Sequence, residues 1–214
     1  MNFAFLAFHE LEELDLIGPW EFLAGGLKKE GVIDDAFIVA EKAETITCAK
    51  GLQIVPHYSF ETCPEFEYIL IPGGWGTRAE ATNPVLLNFL RDRTQRCKAV
   101  LSVCTGAFLL EEIGLLSGKR STTHWGSLDR LRKFGGIAVR EERYTHDGNL
   151  WCSAGVSAGM DMALAFIAHE FGEATAARIQ FYTEYYPDEK IYGKPEKEEE
   201  APGYLRKRTE RGRH

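Results

Sequence analysis

The chain has 214 residues, of which 44% are hydrophobic and 27% charged, with 32 acidic side chains against 25 basic ones. That much apolar material supports a core and excludes a disordered chain, and the length suits one compact domain. A net charge of −7 argues against binding nucleic acid, and no apolar run approaches the ~20 residues that cross a bilayer.

In chain order, NFAFLAF (2–8) reads as a short buried strand, and the acidic residues after it, with no basic lead before it, do not fit a signal peptide. A helix is expected to begin at Gly18-Pro19 and close at Gly31. AFIVAE (36–41), TITCA (45–49) and LQIVPHYSF (52–60) read as strands, with Lys50-Gly51 turning a hairpin between the last two. YILIP (68–72) is an apolar strand that runs into a Pro72-Gly73-Gly74 loop.

Asn83-Pro84 caps a helix to about Gln95, KAVLSVC (98–104) is a buried strand, and AFLLEEIG (107–114) is a helix with a glycine stop. Strands are expected at 120–124, 137–144 and 150–155, with a turn at Asp147-Gly148. Helices are expected over 125–134, 157–171 and about 173–185. The alternation predicts a single α/β domain over 1–187, a sandwich with a mainly parallel central sheet flanked by helices. Residues 188–214, with 15 charged side chains among 27, read as a solvated tail. Without them the body carries 17 bases against 25 acids, a net −8.

The five cysteines (Cys48, Cys63, Cys97, Cys104, Cys152) are odd in number and contain no CxxC pair. Neither a disulfide framework nor a zinc ribbon is supported, and a reducing cytoplasm is the expected compartment. Cys104 stands apart, because in SVCTGA (102–107) a buried strand meets a helix within two residues. Such a turn forces a side chain out of the sheet and aims the first helical N–H groups at it. A thiol held there is expected to be more acidic than free cysteine and to act as a nucleophile; the alternative is an inert core cysteine.

Asp15, between Leu14 and Leu16 just before Gly18-Pro19, is the candidate proton partner. In apolar surroundings its pKa rises and it serves as acid and base; the alternative is an exposed aspartate capping the following helix. Gly73 and Gly74 let backbone N–H groups approach a ligand, although a simple turn accounts for them equally. His124 ends a strand before a helix and is a candidate for the same cleft, the alternative being a hydrogen-bonded structural histidine; Trp20 and Trp125 are candidate cavity walls or core residues. The remaining histidines have no ligand spacing, no dinucleotide or phosphate-loop motif occurs, and neither a metal nor a cofactor is expected.

Taken together, DLIGPWE (15–21), ILIPGGWGT (69–77), SVCTGAFLL (102–110), GLLSGKRSTTHW (114–125) and GVSAGMDMAL (155–164) resemble the ThiJ/PfpI superfamily and, within it, the isonitrile hydratase-like branch. The resemblance implies a class I glutamine amidotransferase-like, flavodoxin-like fold and a homodimer acting on a small molecule. It also implies Cys104 as nucleophile, Asp15 as acid/base, Thr105 as hydroxyl and backbone donor, and Gly74 as second donor. The same domain forms the N-terminal part of certain AraC-type regulators, whose helix-turn-helix domain needs more chain than residues 188–214. Protease-like and glyoxalase-like members usually place a histidine after the cysteine or a glutamate early in the chain, where this sequence has Thr105 and Asp15.

Overall fold

The computed structural model describes residues 1–187 and 201–204. The strands in chain order are β1 (Asn2–Leu6), β2 (Asp35–Ala40), β3 (Ile46–Thr47), β4 (Gln53–Ile54), β5 (Tyr58–Ser59), β6 (Tyr68–Ile71), β7 (Ala99–Val103), β8 (Arg120–Ser121), β9 (Ala138–Val139), β10 (Tyr144–Asp147) and β11 (Leu150–Ser153). Seven of them form the central sheet in the order β10-β11-β7-β6-β1-β2-β5. All neighbours in it are parallel except β10 and β11, the hairpin turned at Asp147-Gly148. β6, β7 and β11 are buried at every residue, as expected of parallel strands covered on both faces.

The helices are α1 (Glu13–Trp20), α2 (Leu27–Lys29), α3 (Thr77–Glu80), α4 (Pro84–Thr94), α5 (Ala107–Glu112), α6 (Leu128–Arg132), α7 (Ala158–Phe171) and α8 (Glu173–Tyr182). The expected start of α4 is observed, with Asn83 Oδ1 accepting from the Val85 N–H at 3.0 Å. From β1 the chain crosses over to β2 on one side, whereas β6 lies on the other side of β1 and leads on to β7. With right-handed crossovers this reversal opens a crevice at the carboxyl ends of β1 and β6, next to that of β7.

Three expectations are corrected. The first helix begins at Glu13, so Pro19 lies inside it and Asp15 in its first turn. Proline lacks an N–H for the helical ladder, and the helix continues past it as a π-helical segment, Glu21–Gly26, that leads into α2. The run 52–60 splits at Pro56 into β4, paired only with β3, and β5 at the edge of the main sheet. The run 137–144 supplies only β9 and the first residue of β10.

The tail expectation falls mostly outside the described residues. Where it can be compared, Ala201 and Pro202 are buried and the Gly203 N–H donates to Glu141 Oε2 at 2.9 Å, so this stretch packs on the body rather than standing in solvent. Among the described residues, no helix is long and apolar enough to cross a membrane.

Candidate active site

β7 arrives extended at Val103, and the next residue, Cys104, turns to φ +56° before a 3₁₀ turn (Cys104–Gly106) opens α5. A non-glycine side chain in this left-handed region is strained and is held there by its surroundings. The Cys104 N–H donates to the Ala154 carbonyl at 3.3 Å, and the buried Thr123 hydroxyl donates to the Cys104 carbonyl at 2.7 Å. Gly106 permits the bend: a Cβ there would lie 2.4 Å from the Ile71 carbonyl oxygen.

Asp15, expected in a loop, projects from the first turn of α1 and is fully buried. Its Oδ2 accepts the Gly73 N–H at 2.9 Å, while the buried Oδ1 has no hydrogen-bond partner. Burial raises its pKa from 3.8 to about 8, opposed by the Gly73 hydrogen bond, assisted by the nearby Glu12 charge and opposed again by contact with Cys104. A neutral carboxylic acid is therefore the prevailing form at pH 7, and the orphaned Oδ1 is where its proton belongs.

The Cys104 thiol is pushed up as well, first by burial and then by the charge of Asp15, against hydrogen bonds from Thr105 and the Val156 N–H. The expectation of an acidic thiol is thus overturned. Helix-start N–H groups do point at the sulfur, but desolvation and a carboxylate neighbour outweigh them. The two groups titrate as a coupled pair whose resting form is thiol plus carboxylic acid.

The glycine loop closes the site. A Cβ on Gly73 would lie 2.5 Å from the Thr105 nitrogen, 2.7 Å from Thr105 Oγ1 and 2.9 Å from Asp15 Oδ2. Gly73→Ala should therefore open the contact between carboxyl and elbow, lowering kcat/KM at least about 10²-fold with the fold intact by circular dichroism. The Gly74 N–H donates to Thr105 Oγ1 at 2.9 Å, and the Thr77 hydroxyl lies 3.2 Å from the same oxygen. The Gly74 N–H is thereby already engaged, whereas the N–H groups of Thr105 and Val156 are directed at the sulfur.

A cavity of about 300 Å³ opens from Cys104 and Thr105 between Gly74, His124 and Val156. His124 is half-buried, and its Nδ1 accepts the Gly126 N–H at 3.2 Å. Burial holds its pKa below the ordinary value against the pull of Glu12, so the ring is neutral with its proton on Nε2. Its Cδ2 would lie 2.2 Å from a Cβ on Gly155, which explains the glycine there. Trp125 is exposed beside His124, 5.3 Å between ring centroids, and does not line the cavity. Trp20 does not line this cavity either: it packs between Phe5 and His57, at 4.8 and 6.0 Å.

Five residues in or beside this site were given no role by the sequence reading. Val156, at φ +48°, lines the cavity, and the segment bearing it is tied down by Arg143. Arg143 pairs with Asp161 at 2.5 Å and donates to Ser157 Oγ at 3.0 Å. Glu12, ion-paired with Lys50, and the pair Trp75 and Arg78 complete the mouth. Trp75 and Val156 lie inside the ILIPGGWGT and GVSAGMDMAL stretches without a role attached to them, and Glu12, Arg78 and Arg143 carried no signal.

Comparison with known proteins agrees with this architecture. The DJ-1/PfpI family profile matches residues 1–169. The chain is 36% identical over 189 residues to an isonitrile hydratase from Pseudomonas putida, covering 87% of this chain and 79% of that one. It is 28% identical to a deglycase from Pyrococcus horikoshii, covering 75% of this chain and 93% of the relative. A ThiJ/PfpI family protein from Pseudomonas syringae superposes with a TM-score of 0.83 at 34% identity, over 97% of this chain and 84% of that one. Drosophila melanogaster DJ-1beta, at 19% identity and a TM-score of 0.76 over 87% and 98%, shares the fold. A buried strand-to-helix cysteine, a mainly parallel sheet and these matches lead to one conclusion: the chain belongs to the DJ-1/PfpI family.

Proposed function

We propose that the protein is a cysteine-dependent enzyme that hydrates an isonitrile, R–NC, to an N-substituted formamide. The observation that carries this reading is Asp15, a buried carboxyl group with a pKa near 8 and one unpartnered oxygen, coupled to Cys104. Similarity to an isonitrile hydratase at 36% identity supports it.

The terminal carbon of an isonitrile accepts a nucleophile only if it also gains a proton. Neutral Asp15 delivers its proton to that carbon while the Cys104 sulfur bonds to it and the thiol proton returns to the carboxylate. The product of this step is a thioimidate, R–N=CH–S–Cys104, with S–H added across one carbon. Asp15 then moves a proton from water to the imidate nitrogen as the water oxygen bonds to carbon. Collapse of the tetrahedral adduct releases R–NH–CHO and restores the thiol. The Thr105 and Val156 N–H groups stabilise charge on sulfur during attack and departure. His124, which lines the cavity and whose Nδ1 is taken by the Gly126 N–H, offers its Nε2–H as a donor for the substrate. A homodimer, a cytoplasmic setting and catalysis without metal or cofactor belong to the same reading.

Hydrolase-like or glyoxalase-like chemistry on another small electrophile would use the same thiol without requiring a carbon protonation. A role as oxidation sensor or other binding protein would favour a readily ionised thiol, and burial beside Asp15 works against one. The test is purified protein with cyclohexyl isocyanide and with methylglyoxal, side by side. Cyclohexylformamide as the product, with methylglyoxal consumed far more slowly, is the expected result; the reverse preference overturns the assignment.

A further inference from the structure

The cavity mouth carries two charged side chains of opposite sign, Glu12 and Arg78, and the structure treats them differently. Glu12 is mostly buried and its Oε1 is ion-paired with Lys50. Arg78 has no acidic partner among the described residues. Its guanidinium instead lies over the Trp75 ring, 4.2 Å from the centroid. Trp75 is itself 65% exposed, so no core packing accounts for this indole.

A guanidinium on an indole face is oriented by cation–π attraction while its N–H edges stay free to donate. Arg78 and Trp75 line the same cavity of about 300 Å³ as Cys104, so a molecule bound at the sulfur shares its enclosure with that fork. The adjacent Glu12 is engaged by Lys50, which also lies 3.9 Å from Glu13, so neither acid pairs with Arg78 and its guanidinium is the mouth cation left for a ligand. A carboxylate matches the fork in charge and geometry, and a neutral alkyl group does not.

Resting on the isonitrile reading above, we infer that Arg78, held on Trp75, is a specificity-determining residue that selects isonitriles bearing an anionic substituent, a carboxylate at the end remote from the reacting carbon. In this arrangement the carboxylate anchors at the rim and the isonitrile carbon reaches Cys104 and Asp15. The arrangement favours short substituents, because the cavity is at the small end of ligand-site sizes.

The test compares isocyanoacetate with its methyl ester, two probes that differ chiefly in charge. The wild-type protein is expected to show a higher kcat/KM for the acid. In Arg78→Ala the acid-to-ester ratio should fall roughly tenfold, through KM for the acid, and Arg78→Lys should restore part of it. Added salt should reduce the wild-type ratio and leave the Ala variant's ratio nearly flat. If the wild type turns over both probes and Arg78→Ala leaves the ratio unchanged, this inference is overturned and the isonitrile reading stands. If the wild type hydrates no isonitrile, including cyclohexyl isocyanide, both are overturned.

Discussion

Cys104→Ala is expected to lower kcat/KM for cyclohexyl isocyanide by at least about 10⁴-fold, to the limit of detection. The size of the loss follows from the role: without sulfur there is no thioimidate, and water itself must attack a carbon that is a poor electrophile. The change removes a single sulfur atom from a site bordering an open cavity, and the surrounding sheet does not depend on it. Thermal unfolding should therefore shift little while activity vanishes. Residual turnover within tenfold of wild type would contradict covalent catalysis at this residue.

Asp15→Asn should separate activity from stability, in opposite directions. Neutral asparagine retains an oxygen for the Gly73 N–H but cannot protonate carbon, so kcat should fall by about 10²–10⁴-fold. Stability should change the other way. The carboxyl titrates near its ordinary value in the unfolded chain and at about 8 when folded. The native state therefore keeps a proton that the unfolded chain loses between about pH 4 and pH 8. The contribution of Asp15 to stability is full below that window and declines as pH rises through it, levelling off above the folded value. Asparagine has no such decline, so the variant should gain on wild type by roughly 3–5 kcal/mol between pH 5 and pH 9. Denaturant melts at the two pH values measure the gain; parallel pH profiles would show that Asp15 is not buried in its acid form. The wild-type rate should also fall above pH 8, as the proton-donating form is lost.

Much of this site was legible in the sequence because it rests on local signals. A buried strand running into Cys-Thr-Gly-Ala predicts an elbow, and the elbow is there, with Cys104 at positive φ. Asp15 between leucines left two readings open, a carboxyl group in apolar surroundings or an exposed helix cap, and it is fully buried. What the sequence misjudged depends on contacts between distant segments. The acidity of Cys104 depends on competition between helix-start N–H groups, which are local, and burial beside Asp15, which is not. Gly74 looked like a free donor until Thr105, 31 residues away, was found to accept its N–H. Pro19 signalled a helix start, but packing of the apolar residues before it extended the helix back to Glu13. Arg78 occurs in no motif and Val156 is a position without an assigned role in GVSAGMDMAL (155–164), and only the tertiary structure brings them to the cavity.

Rapid quenching of the enzyme during cyclohexyl isocyanide turnover, followed by intact-mass and peptide analysis, tests the shared sulfur-and-carboxyl chemistry most directly. The account predicts a mass increase equal to one whole isonitrile molecule, confined to the peptide containing Cys104 and absent from Cys104→Ala. Turnover at the normal rate with unmodified Cys104 throughout, or an adduct on another residue, would contradict it.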